Sequence, residues 1–251
     1  MDTPADVVGR ISRLLAAVSA TEPEGATTSA VARDTGLARP TVHRLLASLA
    51  HAGLTERSPD GRWVLGPELY LLGTAAAARY DVTALAQPVV RRLALATGES
   101  AFFSVRRGEE TICLLREDGS FPVRSHVLHE GIRFPLGVAS AGLVILSFLP
   151  DAEVEDWLAR SDLVVTHGEA HSPQALRERI AQTRRRGYAV NPGLIVEGSW
   201  GMGAAVFDAD ERPQWALSLT GIEQRFTPAR QREMGALLLE AAHQLTRALR
   251  R

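Results

Sequence analysis

Apolar positions recur at helical spacing near the start of the chain: Val7, Val8, Ile11, Leu14, Leu15 and Val18 fall on one face. The period breaks at Thr21-Glu22-Pro23-Glu24-Gly25, a loop signal. Thr28 is placed to cap a short second helix, Ser29 to Thr35. Gly36 suits the position just past that helix, where a left-handed backbone costs least without a Cβ. Leu37 is the apolar plug of a tight turn. A third helix is predicted from about Arg39 to Ala52, with Pro40 in its first turn and Val42, Leu45, Leu46 and Leu49 as its buried stripe. The opposite face carries Arg39, Thr41, His43, Arg44, Ser48 and His51, and Gly53 ends the helix. Leu54–Arg57 and Arg62–Leu65 then read as a hairpin around Ser58-Pro59-Asp60-Gly61, whose Pro and Gly suit a type I turn.

A three-helix bundle with a solvated polar face would account for any one of these elements. The ordered set points instead to a winged helix-turn-helix. That motif lays the polar face of its third helix, N-terminal end first, in the major groove of DNA. Arg39, Thr41, His43, Arg44 and Ser48 are the candidate contacts on that face, and Arg57 and Arg62 flank the wing tip. Residues 1–66 hold seven Arg and seven acidic residues, so the basic character is local. Few phosphate contacts and a modest salt slope are expected.

Gly66-Pro67 breaks the strand. A helix is predicted over Glu68–Arg79 with Leu69, Leu72 and Ala76 on one face, followed by a turn at Tyr80-Asp81. The next helix is expected near Leu85, with Gln87 as cap, Pro88 in the first turn, Val89, Leu93 and Ala96 as apolar face, and Gly98 as terminator. Beyond it the period alternates between element types. Strands read at Ser100–Arg106 and Glu110–Glu117 around Arg107-Gly108-Glu109, and a third at Pro122–Val127. Helices read at Ala139–Leu149, Asp151–Ala159 and Pro173–Arg186, the last with Ser172 as cap and Gly187 beyond its end. Strands return at Gly203–Phe207 and Trp215–Thr220. A long final helix, capped by Thr227 with Pro228 next, carries Met234, Leu237, Leu238, Ala241, Leu245 and Leu249 inward. The order predicts an α+β sandwich with a largely antiparallel sheet. The expected domains are 1–66, a linker helix over 67–81, and 82–251.

Composition narrows the class. The 251 residues suit two domains, and 45% hydrophobic with 23% charged residues argues for folded cores. A formal net charge of −1 argues against coating DNA by bulk charge, though not against a locally basic face. Every fixed side-chain cation is Arg. The one cysteine, Cys113, sits in an apolar run and reads as a buried small hydrophobe. No stretch is long and apolar enough to span a membrane, and Met1-Asp2-Thr3-Pro4 does not begin like a signal peptide. A cytoplasmic protein without a membrane partner is expected.

Enzyme motifs are absent: no G-x-S-x-G, H-E-x-x-H or P-loop occurs. Gly198-Ser199-Trp200-Gly201-Met202-Gly203 precedes a strand, whereas the dinucleotide fingerprint follows one. His167-x-Glu169-x-His171 has metal-ligand residue types and motivates a metal-dependent hydrolase as the minor alternative. It is expected in an exposed loop, without the helix that would align ligands. His126 and His129 read as ordinary polar residues, and Arg184-Arg185-Arg186 complements a helix end. More informative is Pro135-Leu136-Gly137-Val138-Ala139-Ser140-Ala141-Gly142, whose small residues let a ligand approach a helix N-terminus that favours a carboxylate. Ser218 and Thr220 alternate with Leu217 and Leu219, so two hydroxyls share one face of a strand. A bound polar ligand, water or neighbouring backbone would satisfy them.

Taken together, three motifs resemble the IclR family of bacterial transcriptional regulators. They are Gly36-Leu37 through Arg62-Trp63-Val64-Leu65-Gly66; Pro135 through Gly142; and Arg185-Arg186-Gly187-Tyr188-Ala189-Val190 with Ala204–Asp208 and Leu217–Gly221. The resemblance implies a winged helix-turn-helix, a linker helix that helps dimerise it, and a C-terminal GAF-like effector domain. It implies a homodimer or homotetramer that acts as repressor or activator on a double-stranded, pseudo-palindromic operator. The implied effectors are small organic or aromatic acids, with no cofactor. By the same resemblance, the pocket falls on Ser140, Ala141, Asn191, Gly201, Ser218 and Thr220, with Trp200 as a candidate apolar wall and Met202 beside Gly201 as a further candidate. This chain departs from the family where Leu143 replaces a Lys and where Asn191–Trp200 is more apolar and less acidic. A DNA-binding protein whose second domain only oligomerises is the other alternative.

Overall fold

The computed structural model describes residues 6–77 and 82–250. The chain divides into two compact units, Met1–Asp81 and Val82–Arg251.

The first unit contains α1 (Val7–Ser19), α2 (Thr28–Thr35) and α3 (Arg39–His51), then β1 (Thr55–Arg57), β2 (Trp63–Leu65) and α4 (Pro67–Ala77). Its core gathers Leu14, Val18, Val31, Val42, Leu46, Leu49 and Trp63. Gly36 closes α2 at φ 69°, the left-handed turn its lack of a Cβ permits. Three details differ from the sequence pattern. Val7 and Val8 are exposed, because the α1 stripe is buried only from its middle turn onward. The α2 cap is Thr27, whose hydroxyl accepts from the Ala30 N–H. Thr28 is drawn away to accept a hydrogen bond from Trp63 Nε1 at 2.9 Å. In α4 the expected apolar face is only partly covered: Leu69 and Ala76 are half-buried, but Leu72 is exposed, as are Tyr70 and Leu71 beside it. The Tyr80-Asp81 turn lies outside the described residues.

The second unit opens with α5 (Val82–Thr97). This helix starts earlier than predicted and contains Pro88 in its interior. Pro88 removes one backbone donor, a cost of about 3 kcal/mol. Burial of Val82 and Ala86 upstream of it, beside Val89 and Val90 downstream, carries the helix through. Ala96, expected inward, is exposed, as is Leu85. The remaining elements are β3 (Ser100–Arg107), β4 (Glu110–Glu117), β5 (Arg133–Pro135), α6 (Ser140–Ser147), α7 (Asp151–Arg160), α8 (Val164–His167), α9 (Pro173–Arg186), β6 (Ala189–Pro192), β7 (Ser199–Phe207), β8 (Pro213–Ile222) and α10 (Pro228–Leu249).

The six strands form one sheet of order β5-β4-β3-β8-β7-β6, and every neighbouring pair is antiparallel. Pro122–Val127 does not form the predicted strand; β5 takes that edge, and no backbone pairing holds 122–127 to the sheet. The edge strand β6 escaped the sequence pattern because it is only four residues long and ends in Pro.

One sheet face packs on α5 and α10 through Phe103, Met202, Leu217, Leu219, Met234 and Leu238. The other packs on α6, α7 and α9 through Leu143, Val144, Trp157, Leu176 and Ala205. Sandwiched between sheet and helices, α6 is buried along its whole length. Ser172 caps α9 and Gly187 ends it at φ 81°, as the sequence predicts.

Candidate functional site

The winged unit builds one polar surface from two elements. Arg39, His43, Arg44, Ser48 and His51 on α3 are exposed and Thr41 is half-buried; in the stripe behind them Val42, Leu46 and Leu49 are buried and Leu45 is half-buried. The wing is locked to α3 and α2 by groups the sequence does not single out. Thr55 Oγ1 donates to the Leu46 carbonyl at 3.0 Å inside the core. Trp63 exchanges two backbone hydrogen bonds with Ala26, both 2.8 Å, which adds a bridge beside the hairpin.

The Trp63 ring also gathers two of the candidate contacts. His43 meets it edge-on at 6.1 Å, and the Arg57 guanidinium lies 4.7 Å from its centroid. Trp63 therefore braces the angle between α3 and the wing. Arg62 is less free than the sequence suggests. Its Nη1 donates to the Gly25 carbonyl at 3.2 Å and its Nε pairs with Asp60 at 3.1 Å. The Ser58 hydroxyl, and then Arg62, hold the Asp60 carboxyl below its usual range. The turn is thus tied internally, and Arg62 spends donors on bracing it.

In the second unit a small pocket lies between α6 and the sheet. Ala139 and Ser140 from the α6 start, Asn191, Ser199, Trp200, Gly201 and Thr220 line it, with Val127, Leu128 and Ile195 from loops. Five of the eight expected residues meet there: Ser140, Asn191, Trp200, Gly201 and Thr220.

The other three are placed differently. Ala141 points into the helical core beside Leu143 and Val144. Met202 lies on the opposite sheet face, in the α5–α10 core, because strand side chains alternate and Gly201 faces α6. Ser218 is fully buried on the Thr220 face, deeper than the pocket lining.

Register explains why this patch can receive a helix end. Gly201 pairs with Thr220 and Gly203 with Ser218. A Cβ on Gly203 would sit 3.0 Å from the Ser140 carbonyl, and one on Gly201 3.2 Å from Ser140 Oγ. The two glycines, two residues apart, let α6 press its first turn onto bare strand. That spacing was the missed signal.

The polar atoms divide into spent and unspent. Asn191 Nδ2 donates to the Val138 carbonyl at 2.7 Å, and its Oδ1 accepts from the Leu194 N–H at 3.0 Å. Asn191 therefore braces the loop before α6 against the 193–198 loop. Ser218 Oγ and Thr220 Oγ1 are buried and have no hydrogen-bond partner among the described residues. The α6 N-terminus has no side-chain cap, because Ala139 occupies that position. No ionisable side chain lines the pocket, so negative charge there would meet the helix dipole and hydroxyls alone.

The His167–His171 region differs from its expected loop. Val164–His167 forms a helical turn and Glu169–His171 a 3-10 turn. His171 is buried, its Nδ1 2.9 Å from the His167 carbonyl, and burial pushes its pKa down. Among the described residues, no group of three or more His, Cys, Asp or Glu side chains is placed to hold a metal. Cys113 is buried and its thiol is pushed up to about 12, mainly by burial, as suits a packing residue. No helix of the described residues is long and apolar enough to cross a membrane.

These features converge with the comparisons. Residues 7–59 match the IclR helix-turn-helix domain, and residues 74–247 match the C-terminal domain of IclR bacterial transcriptional regulators. The chain belongs to the IclR family. It is 31% identical over 205 residues to the glycerol operon regulatory protein of Streptomyces griseus, covering 80% of this chain and 78% of that protein. It is 29% identical over 216 residues to the HTH-type transcriptional regulator KipR of Bacillus subtilis, with 86% of each covered. Among solved structures, an IclR homolog of Microbacterium hydrocarbonoxydans complexed with 4-hydroxybenzoate superposes at TM-score 0.79 with 25% identity, covering 98% of this chain and 99% of that one. This IclR-family chain thus joins a helix-turn-helix DNA-binding domain to an effector-binding domain.

Proposed function

We propose that this IclR-family regulator binds a pseudo-palindromic operator as a homodimer or homotetramer and changes its DNA affinity when a small organic or aromatic acid occupies the α6 pocket. The observation that carries the reading is the exposed polar face of α3 beside the Trp63-braced wing. Residues 1–66 would form the DNA-binding domain, 67–81 the linker, and 82–251 the effector and oligomerisation domain. Tyr70, Leu71 and Leu72 are 76%, 56% and 58% exposed, an apolar surface on α4 suited to a second copy.

For the effector, the α6 N-terminus suits a carboxylate, Ser140 and Thr220 suit hydrogen bonding, and Trp200, Ile195 and Leu128 suit a ring. The relative complexed with 4-hydroxybenzoate supports that class. Effector binding shifts the DNA-binding equilibrium only by its difference in affinity for the two states.

Two titrations test the reading. Fluorescence anisotropy with operator DNA, selected from a random pool, is expected to give saturable binding that weakens with salt. A thermal-shift series with small aromatic acids, 4-hydroxybenzoate first, is expected to raise the melting point of the second unit. DNA binding with no shift across the series would favour a second domain that only oligomerises.

A further inference from the structure

Thr220 lines the pocket at 5% exposure and Ser218 lies sealed behind it, so a ring-sized ligand enters only if a pocket wall moves. The sheet and α6 are parts of the packed core; the loops are the remaining walls. Loop 193–198 is tied through its backbone: Leu194 N–H to Asn191 Oδ1, Ser199 N–H to the Val196 carbonyl, and Glu223 N–H to the Gly198 carbonyl.

The segment that supplies Val127 and Leu128 is held otherwise. From residue 122 to 128, no backbone–backbone hydrogen bond is made among the described residues. Side chains do the holding. Arg225 Nη2 donates to the Val123 carbonyl at 3.1 Å, and its guanidinium lies 4.2 Å from the Phe121 ring centroid. The hydroxyls of Ser125 and Ser199 share a hydrogen bond of 2.6 Å.

Arg225 is itself fixed from behind. Its Nε and Nη2 donate to the two oxygens of Glu99 at 2.6 and 2.7 Å, the paired geometry a guanidinium makes with a carboxylate. Glu99 is 1% exposed, so this pairing is shielded from water and salt. Arg230 stands 3.8 Å from the same carboxylate and 5.7 Å from the Phe121 ring. Space for the carboxylate comes from Gly221, where a Cβ would fall 2.2 Å from Glu99 Oε2.

We infer that Glu99 and Arg225 form a latch that holds residues 121–128 closed over the pocket, so that Glu99 sets how fast ligand enters and leaves. The inference rests on the pocket reading under Proposed function. Glu99 lines no part of the pocket; it acts by positioning Arg225. Weakening the latch raises the open population, so association and dissociation accelerate together while affinity changes less.

The experiment uses the full chain and three variants. Glu99→Gln keeps the shape and removes the charge. Arg225→Lys cannot hold both Glu99 oxygens and Val123. Ser125→Cys with Ser199→Cys puts two sulfurs where the hydroxyls now touch, so oxidation ties the segment shut. Limited trypsin digestion without ligand, read by mass spectrometry, is expected to cut after Arg124 about tenfold faster in the first two variants, with cleavage in α9 unchanged. Stopped-flow Trp fluorescence with 4-hydroxybenzoate is expected to show both rate constants rising about tenfold in those variants, and association slowing about tenfold in the oxidised pair, reversed by reduction. Unchanged cleavage after Arg124 in both single variants, or equal association by the oxidised and reduced pair, would overturn the latch. If 4-hydroxybenzoate fails to bind the unaltered chain, that effector reading loses its support, while the cleavage result still decides the latch.

Discussion

In the winged unit the polar side chains of α3 stand in solvent, whereas in the C-terminal unit the hydroxyls of Ser218 and Thr220 are buried with no partner among the described residues. The difference follows from what each surface meets. A polar face bound for a hydrated phosphate backbone can wait in water at little cost and exchange water and ions for DNA. A hydroxyl buried without a partner costs about 1–3 kcal/mol, and a ligand that bonds to it recovers that loss. The first surface is therefore stable in water, and the second gains from any partner that reaches its hydroxyls. The rigidity of each also sits elsewhere: Trp63 braces the polar face of the winged unit, and Asn191 and the strand glycines brace the pocket.

The sharpest way to break the comparison is to remove the brace of one side only. Trp63→Ala deletes a buried ring at a cost of about 3–5 kcal/mol, comparable with the stability of so small a unit. The expected result is loss of the low-temperature calorimetric transition and of operator binding, with the C-terminal transition retained. A single shared transition that shifts as a whole would show that the two units do not unfold separately.

Arg44→Ala leaves the brace intact and removes one exposed donor. Operator affinity is expected to fall by about 1–3 kcal/mol, with unchanged melting and ligand binding. An unchanged anisotropy curve would remove Arg44 from the interface.

Thr220→Val inverts the sign. Replacing an unpartnered buried hydroxyl with a methyl is expected to raise the stability of the second unit by about 1 kcal/mol while reducing the melting shift produced by 4-hydroxybenzoate. A loss of stability would mean that Thr220 already has a partner.

The smallest effect concerns His171. Its folded pKa is pushed below the ordinary value by burial, so it favours the neutral ring. The stability this contributes is present above the unfolded pKa, about 6.5, and is lost as pH falls through the lower folded value. Chemical denaturation between pH 7 and pH 5 is expected to show a steeper loss for the unaltered chain than for His171→Gln. Parallel curves would show that the buried ring is not the group being titrated.

How much could be read before folding differs between the same two regions. The helix period of α1 to α3, the Gly36 turn and the 58–61 loop are local signals, and they placed the elements that carry the exposed polar face of α3 nearly whole. The deviations there arose from one distant contact, since the Trp63 indole claims Thr28 and leaves Thr27 as cap. In the second unit the small-residue run at 135–142 and the Ser218–Thr220 alternation were visible, but their meeting was not. It depends on the register that sets Gly201 against Thr220 and Gly203 against Ser218. The same pleat sends Met202 to the other core, and packing on both sides of α5 overrides the helix-breaking signal of Pro88.

The sequence by itself determined which segments are helix or strand over most of the chain, the polar face of α3, and the small residues at the start of α6, because these depend on neighbours within a few positions. Only the tertiary structure decided that Arg62 turns inward to Gly25, that Asn191 spends its amide on Val138, and that Glu99 holds Arg225 over the pocket loop. Those partners lie 37, 53 and 126 positions apart. No local period encodes such pairings; they exist only once sheet register and core packing have brought the groups together.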